Sequence, residues 1–513
     1  MGADQNLNLF DPIPLDRFEQ LTHKELLQWT KLQQKVNEQL LKEVKRLNAL
    51  KDELEQKSIL IEDQYIVLKN RLFGKNSEKE PPPKEEREPK SGDSSPKKKK
   101  VQLPSERYPN LPRIERQVTF QQPPNCKCCN EKLTDSGMTE DSEYMTVIPK
   151  QYIVVQEKKH KYRCAKCHGD IQTPPSPPRI KPGSSYSDEM MLDVSLTKFC
   201  DLIPIQRYVA IAERSGVADL PQQSLIETTH YVSDFARGAY GLLKGEVQSE
   251  KVLRADETPH RMLEGDSKSN WYLWGFSSTK AAYFEARDTR SGDIAAEFLK
   301  DSKCVFLLSD VYSGYDKAVR VANLIRQAAQ FAAIENVYCN AHARRRFKEA
   351  KERFAEEAQF FIDKYKEIYQ LEDLTKDKPP EDLLEIRKKM IPFFEDMKIK
   401  AMAWMPEFST KSTIGKAMGY LLNNFKELTR FIANADIPID NNSQERLLRN
   451  PVIGRKTWYG THSKRGAETM AILFSLVESC KLNQVNPREY FKALVNALHR
   501  GEKPFTPATF KTH

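Results

Sequence analysis

Residues 251–345 constrain the fold more than any other part of the chain, because their hydrophobic pattern alternates between two periods in a definite order. KVLRADETP reads as a strand ending in acid. WYLWGFSS and AAYFEARD are two further strands, the first preceded by the turn residues of GDSKSN. GDIAAEFLK has helical spacing, and CVFLLSD is a short apolar strand ending in Asp310. NVYCNAHARRRFKEAKERF is a strand running into a helix. Strands joined by short turns pair antiparallel, whereas a strand reached through a helix joins the sheet parallel. The pattern predicts three meandering strands followed by parallel additions.

That order, β-β-β-α-β-α-β, is the order of the ribonuclease-H-like fold. The expected class is a multidomain α+β protein with such an α/β core, interrupted by a helical insertion. A chain of 513 residues has room for about three or four domains, and composition shifts mark their boundaries. Residues 1–75 hold a helix with Leu40, Leu47, Leu54, Ile61 and Leu68 at seven-residue spacing. Taking these as d positions puts Val44, Lys51, Ser58, Tyr65 and Leu72 at a. The d seam is continuous and the a seam mixed, so a dimeric or trimeric coiled coil is expected; the alternative is a helix packed on its own chain. Residues 76–105 are a charged, proline-rich linker, too poor in apolar side chains to offset the entropy of ordering. Residues 183–250 read as helices, with a break at Gly216 and a restart after Pro221 that fits a possible DNA-binding helix-turn-helix. Residues 346–435 are the helical insertion, 436–500 return to the core, and 501–513 are a tail. AILFSLVESC, in the returning part, is apolar enough to be a buried helix.

The segment 106–182 carries two C-x-x-C pairs, Cys126/Cys129 and Cys164/Cys167. Between them EYMTVIPKQYIVVQEKKHKYRC alternates and is rich in β-branched residues, which predicts a small β module. Two cysteine turns joined by a hairpin offer four sulfurs in a tetrahedron, the arrangement that suits one structural Zn²⁺. Cys128 competes with its neighbours for the inner position, and His160 and His168 are possible substitutes. Nine cysteines, an odd number, read as metal ligation in a reducing compartment rather than as a disulfide framework.

No run approaches the ~18 apolar residues that span a bilayer, and Met1–Asp16 lacks a secretory pattern. The net charge of +9 permits an anionic partner without requiring one.

Asp256 and Asp310 each close a predicted strand, where side chains project into a crevice. Carboxylates are hard ligands for Mg²⁺ or Mn²⁺, and two such ions serve phosphoryl transfer. A third carboxylate is needed, and Glu445 stands near the start of a helix for which Asn441, Asn442 or Asp440 is the candidate cap. Glu257 is expected on the opposite strand face from Asp256, and Asp316 beyond the turn that follows Asp310. Arg446, Arg449, Arg455 and Lys456 flank Glu445 and would offset repulsion between phosphates and carboxylates. Arg344, Arg345 and Arg346 are candidate phosphate contacts. Trp458 reads either as a base-stacking residue or as core.

Several segments together carry a family resemblance: RLFGKNSEK (71–79), the C-x-x-C pairs, RADETP (254–259), LLSDVYSGY (307–315), YCNAHARRRF (338–347) and DNNSQERLLRNPVIGRKTWYGTHSKRGAE (440–468). The chain closely resembles transposases of the insertion-sequence-66 family over nearly its whole length. The resemblance implies a leucine-zipper-like helix, a zinc-binding module and a ribonuclease-H-like domain with an acidic triad. By motif the triad is Asp256, Asp310 and Glu445, holding two Mg²⁺ (or Mn²⁺) ions. The implied activity is binding of transposon ends, hydrolysis to free 3′-OH ends and joining of those ends to target DNA. The implied protein is a homo-oligomer, at least a dimer, with helper proteins of the same element as further partners; it is cytoplasmic, bacterial and nucleoid-associated. The C-x-x-H of Cys339 and His342 resembles a segment of several eukaryotic transposase lineages and suggests a supporting role for His342. The first cysteine pair departs from the family's C-x-x-C-G by reading C-K-C-C. Two alternatives are a zinc-containing DNA-binding regulator and a ribonuclease-H-like nuclease without strand transfer.

Overall fold

The computed structural model describes residues 22–510 apart from 74–102, 164–170, 264–269 and positions 110, 121, 136, 140, 141 and 149. Chain contacts divide into two units. The larger comprises residues 1–76, 175–210 and 220–513, the smaller residues 77–174 and 211–219.

The larger unit begins with α1 (His23–Phe73), which holds no Pro or Gly to break it. Leu40, Leu47, Leu54 and Ile61 are each more than half exposed along it; the side chain of Leu68 lies outside the described residues. Four helices follow: α2 (Asp188–Phe199), α3 (Ile205–Arg214), α4 (Gln222–Phe235) and α5 (Arg237–Gln248). The Ser187 hydroxyl caps α2 by accepting the Met190 N–H at 3.2 Å.

The sheet has five strands: β1 (Val252–Arg261), β2 (Asn270–Ser277), β3 (Ala282–Arg287), β4 (Phe306–Ser309) and β5 (Glu335–Tyr338). Their order is β3-β2-β1-β4-β5. β1, β2 and β3 form the expected antiparallel meander. Helix α6 (Gly292–Leu299) leads to β4 and α7 (Ser313–Ala328) to β5, and both strands add in parallel. Strand β4 divides its side chains by period two: Leu307 joins one hydrophobic cluster and Leu308 another, so each face of the sheet is covered.

The second of those clusters belongs to the helical insertion. Helices α8 (Asn340–Ala350), α9 (Ala355–Asp373), α10 (Pro380–Lys388), α11 (Ile391–Trp404), α12 (Thr413–Asn423) and α13 (Phe425–Thr429), with the 3-10 turn Arg430–Ala433, pack Phe347, Phe361, Tyr365, Phe394 and Phe431 against Leu308, Val337 and Tyr338. The chain then re-enters the core through α14 (Asn442–Trp458), α15 (Lys464–Leu482) and α16 (Pro487–His499). Helix α15 is buried from Met470 to Cys480, as the apolar run within it predicts. It also covers the outer edge of β3, where the Ser475 and Ser479 hydroxyls accept the Phe284 and Ala282 N–H groups at 2.8 and 2.9 Å. Two serines thereby satisfy strand-edge donors inside an apolar interface.

In the smaller unit the alternating segment expected to be β-rich is strand only at Tyr162–Arg163, which pairs antiparallel with Ile171–Gln172. Residues 142–148 and 150–161 form no regular strand, and Val154 is 99% exposed. Alternation needs a neighbouring strand and an opposing layer, and the described residues supply neither. Residues 124–133 fold into a tight knuckle: the Cys126 N–H donates to the Glu131 carbonyl at 2.7 Å, and the Asn130 N–H donates back to the Cys126 carbonyl at 3.0 Å. Among the described residues no helix is long and apolar enough to cross a membrane.

Candidate functional site

Register places the first two acids side by side. β4 pairs with only the first three residues of β1, with Arg254 opposite Leu308. Two residues further along stand Asp256, within β1, and Asp310, just past the end of β4. Beyond Arg254 this side of β1 has lost its strand neighbour, and the opening receives the site. β1 does not end at the acid, as its sequence suggests, but runs on to Arg261 paired with β2. Pro259 is tolerated there because that stretch has a strand on one side only.

The segment before α14 fills the opening and brings in the third acid. The Asn441 side-chain amide donates to the Ala255 carbonyl at 3.0 Å, and the Asn340 amide donates to the Ile439 carbonyl at 3.1 Å. Asp440, rather than Asn441, caps the helix: its carboxylate accepts the Asn442 N–H at 3.1 Å and the Asn442 side-chain amide at 2.7 Å. Gln444 turns inward to accept the Ser277 hydroxyl. It lies over Gly275, the residue opposite Asp256, where a Cβ would run into its amide. Glu445 therefore emerges one turn into α14, beside β1.

Electrostatics show that these acids share one environment. Burial, then the charges of Glu257, Asp310 and Glu445, hold the Asp256 carboxyl well above the usual carboxylate range. Burial and Glu257 push Asp310 up to about 6, with Arg290 and Arg346 pulling the other way and Glu445 adding to the rise. The Asp310 Oδ1 is buried with no hydrogen-bond partner. Three crowded carboxylates and an orphaned oxygen are what a hard divalent cation would relieve, so the residues fit Mg²⁺ or Mn²⁺.

Glu257 is more than a residue on the far strand face. Its side chain is 2% exposed. One carboxylate oxygen accepts from Arg290 (Nε 2.8 Å, a terminal nitrogen 2.6 Å) and the other from the Tyr315 hydroxyl at 2.6 Å. Arg290 lies 4.2 Å from the centre of the Tyr312 ring. This group holds a guanidinium at the edge of the acids. Strand alternation alone does not reveal it, since Arg290 and Tyr315 come from distant loops and helices.

Helix α8 lines the opposite wall. His342 Nε2 lies 3.6 Å from Glu445 Oε1, and Arg345 lies 3.8 Å from Glu445 Oε2. Arg346 is exposed over the Tyr420 ring, and Arg344 sits near the Tyr369 ring. Arg446, Arg449 and Lys456 are exposed on α14, whereas Arg455 is half-buried. Trp458 packs edge-on against Phe199 beneath Lys198, on the core side. Of the residues expected as zinc ligands or their substitutes, Cys126, Cys128 and Cys129 lie in the knuckle; Cys164, Cys167 and His168 lie outside the described residues. The Cys128 and Cys129 N–H groups hold the Cys126 thiol below its usual range.

Raised carboxyl groups make a linkage prediction. The folded protein retains the Asp310 proton to higher pH than the unfolded chain, so this stabilising contribution is complete below about pH 4 and is lost as pH rises toward about 6. In EDTA at pH 7.5, Asp310→Asn should be more stable than wild type by about 1–3 kcal/mol and melt at a higher temperature. The substitution should also flatten stability between pH 4 and 6, as read by thermal melts. Mg²⁺ should raise the wild-type melting temperature more than that of the variant.

The mixed sheet thus gathers acids from two adjacent strands and a later helix into one crevice. The model of the transposase IS66 family matches residues 183–469, more than half the chain, and the protein belongs to that family. Membership gives it a transposase role in the broad sense, as a DNA-processing enzyme with DNA as its partner. The matched span contains Asp256, Asp310 and Glu445 but neither α1 nor the cysteine pairs. Among its relatives, uncharacterized protein y4hP of Sinorhizobium fredii (strain NBRC 101917 / NGR234) is 25% identical over 404 residues, 74% of this chain and 71% of its own. Uncharacterized protein y4jD of the same strain is 24% identical over 389 residues, 73% of this chain and 75% of its own.

Proposed function

We propose that the protein is a DDE-type transposase that binds the ends of its element, cleaves phosphodiester bonds to free 3′-OH ends and joins them to target DNA. The observation that carries the reading is the convergence of Asp256, Asp310 and Glu445 beside the open side of β1, close enough that the charges of Asp310 and Glu445 act on Asp256 and that of Glu445 acts on Asp310. The strand order β3-β2-β1-β4-β5, with its antiparallel meander and parallel additions, supports a ribonuclease-H-like core. Asp256, Asp310 and Glu445 would hold two Mg²⁺ or Mn²⁺ ions. When bound, such ions activate the attacking oxygen and stabilise the leaving one. The protein's own part is to orient: Asn441 and Gln444 fix the first turn of α14, and the Glu257–Arg290 pair places a cation at the rim. Arg346, Arg446, Arg449 and Lys456 present exposed positive charge to the DNA backbone.

The test is the full-length protein with Mg²⁺ and duplex DNA carrying the element's own ends. The expected products are free 3′-OH ends and joined strands, absent in EDTA. Cleavage without joining would favour a nuclease, and binding without cleavage a regulator.

Two further assignments accompany this reading. One Zn²⁺ is held by Cys126, Cys129, Cys164 and Cys167, supported by the knuckle around Cys126 and its lowered thiol. Helix α1 mediates self-association, supported by the exposed leucines at seven-residue spacing. Removal of residues 1–75 should lower the particle mass measured by light scattering to that of a smaller oligomer. An unchanged mass rejects the zipper.

A further inference from the structure

Next to the acids lies a second set of donors of different chemical character. Cys339 Sγ, a His342 ring nitrogen and a Glu445 carboxylate oxygen all lie within 4.8 Å of one another. Cys339 and His342 are brought together by the start of α8, where Cys339 is the N-cap residue. Glu445 arrives from α14. A tetrahedral zinc with bonds of about 2.0–2.3 Å sets its ligand atoms about 3.3–3.8 Å apart. The 3.6 Å between His342 Nε2 and Glu445 Oε1 already falls in that range. A thiolate, an imidazole and one carboxylate form a borderline-soft set that suits Zn²⁺ and is poor for Mg²⁺.

We propose that Cys339, His342 and Glu445 form a three-ligand Zn²⁺ site, with its fourth position open to solvent, overlapping the acidic centre at Glu445. The Asn441 N–H donates to Cys339 Sγ at 3.2 Å and would orient the sulfur and stabilise its thiolate. The thiol is fully buried, and burial pushes it up to about 12. Coordination forms a Zn–S bond and releases the thiol proton to solvent. His342 and Glu445 are each about one-quarter to one-third exposed and give the ion its route in. Arg345 lies 3.8 Å from Glu445 and is 38% exposed.

The consequence rests on the transposase reading: an ion bound here takes Glu445 away from the Asp256–Asp310 pair, so Zn²⁺ competes with Mg²⁺-dependent catalysis. The binding itself does not depend on that reading. The experiment is elemental analysis of full-length protein dialysed against Zn²⁺, for wild type, Cys339→Ser and His342→Gln, with thermal melts to establish folding. Wild type should hold one more zinc per chain than either variant, with zinc on the paired cysteines constant throughout. With Co²⁺ in place of zinc, the thiolate-to-metal charge-transfer band should weaken in Cys339→Ser. Equal zinc content in wild type and in the folded variants overturns the site. His342→Gln decides the matter alone if Cys339→Ser fails to fold. Loss of one zinc alongside a wild type that never cleaves end DNA keeps the metal site and rejects the transposase reading. Normal Mg²⁺-dependent cleavage with unchanged zinc content does the reverse.

Discussion

Asp256→Ala will abolish Mg²⁺-dependent cleavage and joining while leaving DNA binding in place. The same is expected of Asp310→Ala and Glu445→Ala. On the proposed reading each acid supplies charge that would hold a divalent ion, and losing metal stabilisation worth several kcal/mol would slow the chemistry at least about a thousandfold. On the proposed reading, binding draws instead on exposed residues such as Arg446, Arg449 and Lys456, because contacts to phosphate dominate affinity for DNA. Removing a negative charge should leave that affinity equal or slightly higher. Gel shift and cleavage assays on one preparation separate the two effects. Asp316 is the control. It accepts from Asn336 at 2.9 Å and from the Tyr338 hydroxyl, on the α7–β5 side, so Asp316→Asn should cleave normally. Glu257→Ala is not an inert control. It strips the buried Tyr315 hydroxyl of its acceptor, which costs about 1–3 kcal/mol, and frees Arg290 from its place at the rim. Full cleavage by Glu445→Ala would move the third ligand to another residue, Asp440 first.

The meander was legible because each strand carries its own period and each connection has a length that selects antiparallel or parallel pairing. The buried helix α15 was equally plain, since an apolar run of that length has only one place to go. Asp256 was harder. The sequence marks it as a strand end, yet the strand continues through Pro259 to Arg261, and the acid stands at an opening because β4 stops rather than because β1 does. Which strand stops first is a property of register, and no local pattern encodes it. The cap of α14 shows the same limit. Asp440, Asn441 and Asn442 are all good caps by composition. Only the open side of β1 assigns Asn441 to the Ala255 carbonyl and leaves Asp440 to cap. Glu257 reads only as an acid on the strand face opposite Asp256 until Arg290 and Tyr315 are folded over it. The period-two segment 142–161 shows the converse, because alternation without a packed partner layer does not suffice to make a sheet.

Arg387→Ala should unfold the insertion and, through it, displace Glu445. Arg387 is 2% exposed on α10. One terminal nitrogen donates to the carbonyls of Phe431, Asn434 and Ile437 at 2.8, 3.0 and 2.9 Å. The rest of the guanidinium grips the Glu372 carboxylate of α9 at 3.0 and 2.5 Å. The clamped residues lead directly into Ile439–Asn441, the segment that docks on Asn340 and Ala255 and sets the start of α14. Removing one partner of a buried ion pair strands the other charge and costs about 3–5 kcal/mol, enough to melt a packed subdomain at moderate temperature. Arg387→Lys should be nearly as damaging, because an ammonium cannot serve three carbonyls and a bidentate carboxylate together. The double variant Arg387→Met/Glu372→Met removes both charges, so it should recover part of the loss while leaving the three carbonyls unserved. Thermal melts and limited proteolysis across residues 374–440 read the stability. Cleavage at a temperature where the variant remains folded reads the effect on Glu445. An Arg387→Ala protein with wild-type melting and full activity would mean that the docking of Ile439–Asn441 on the sheet holds the third acid without the insertion's help.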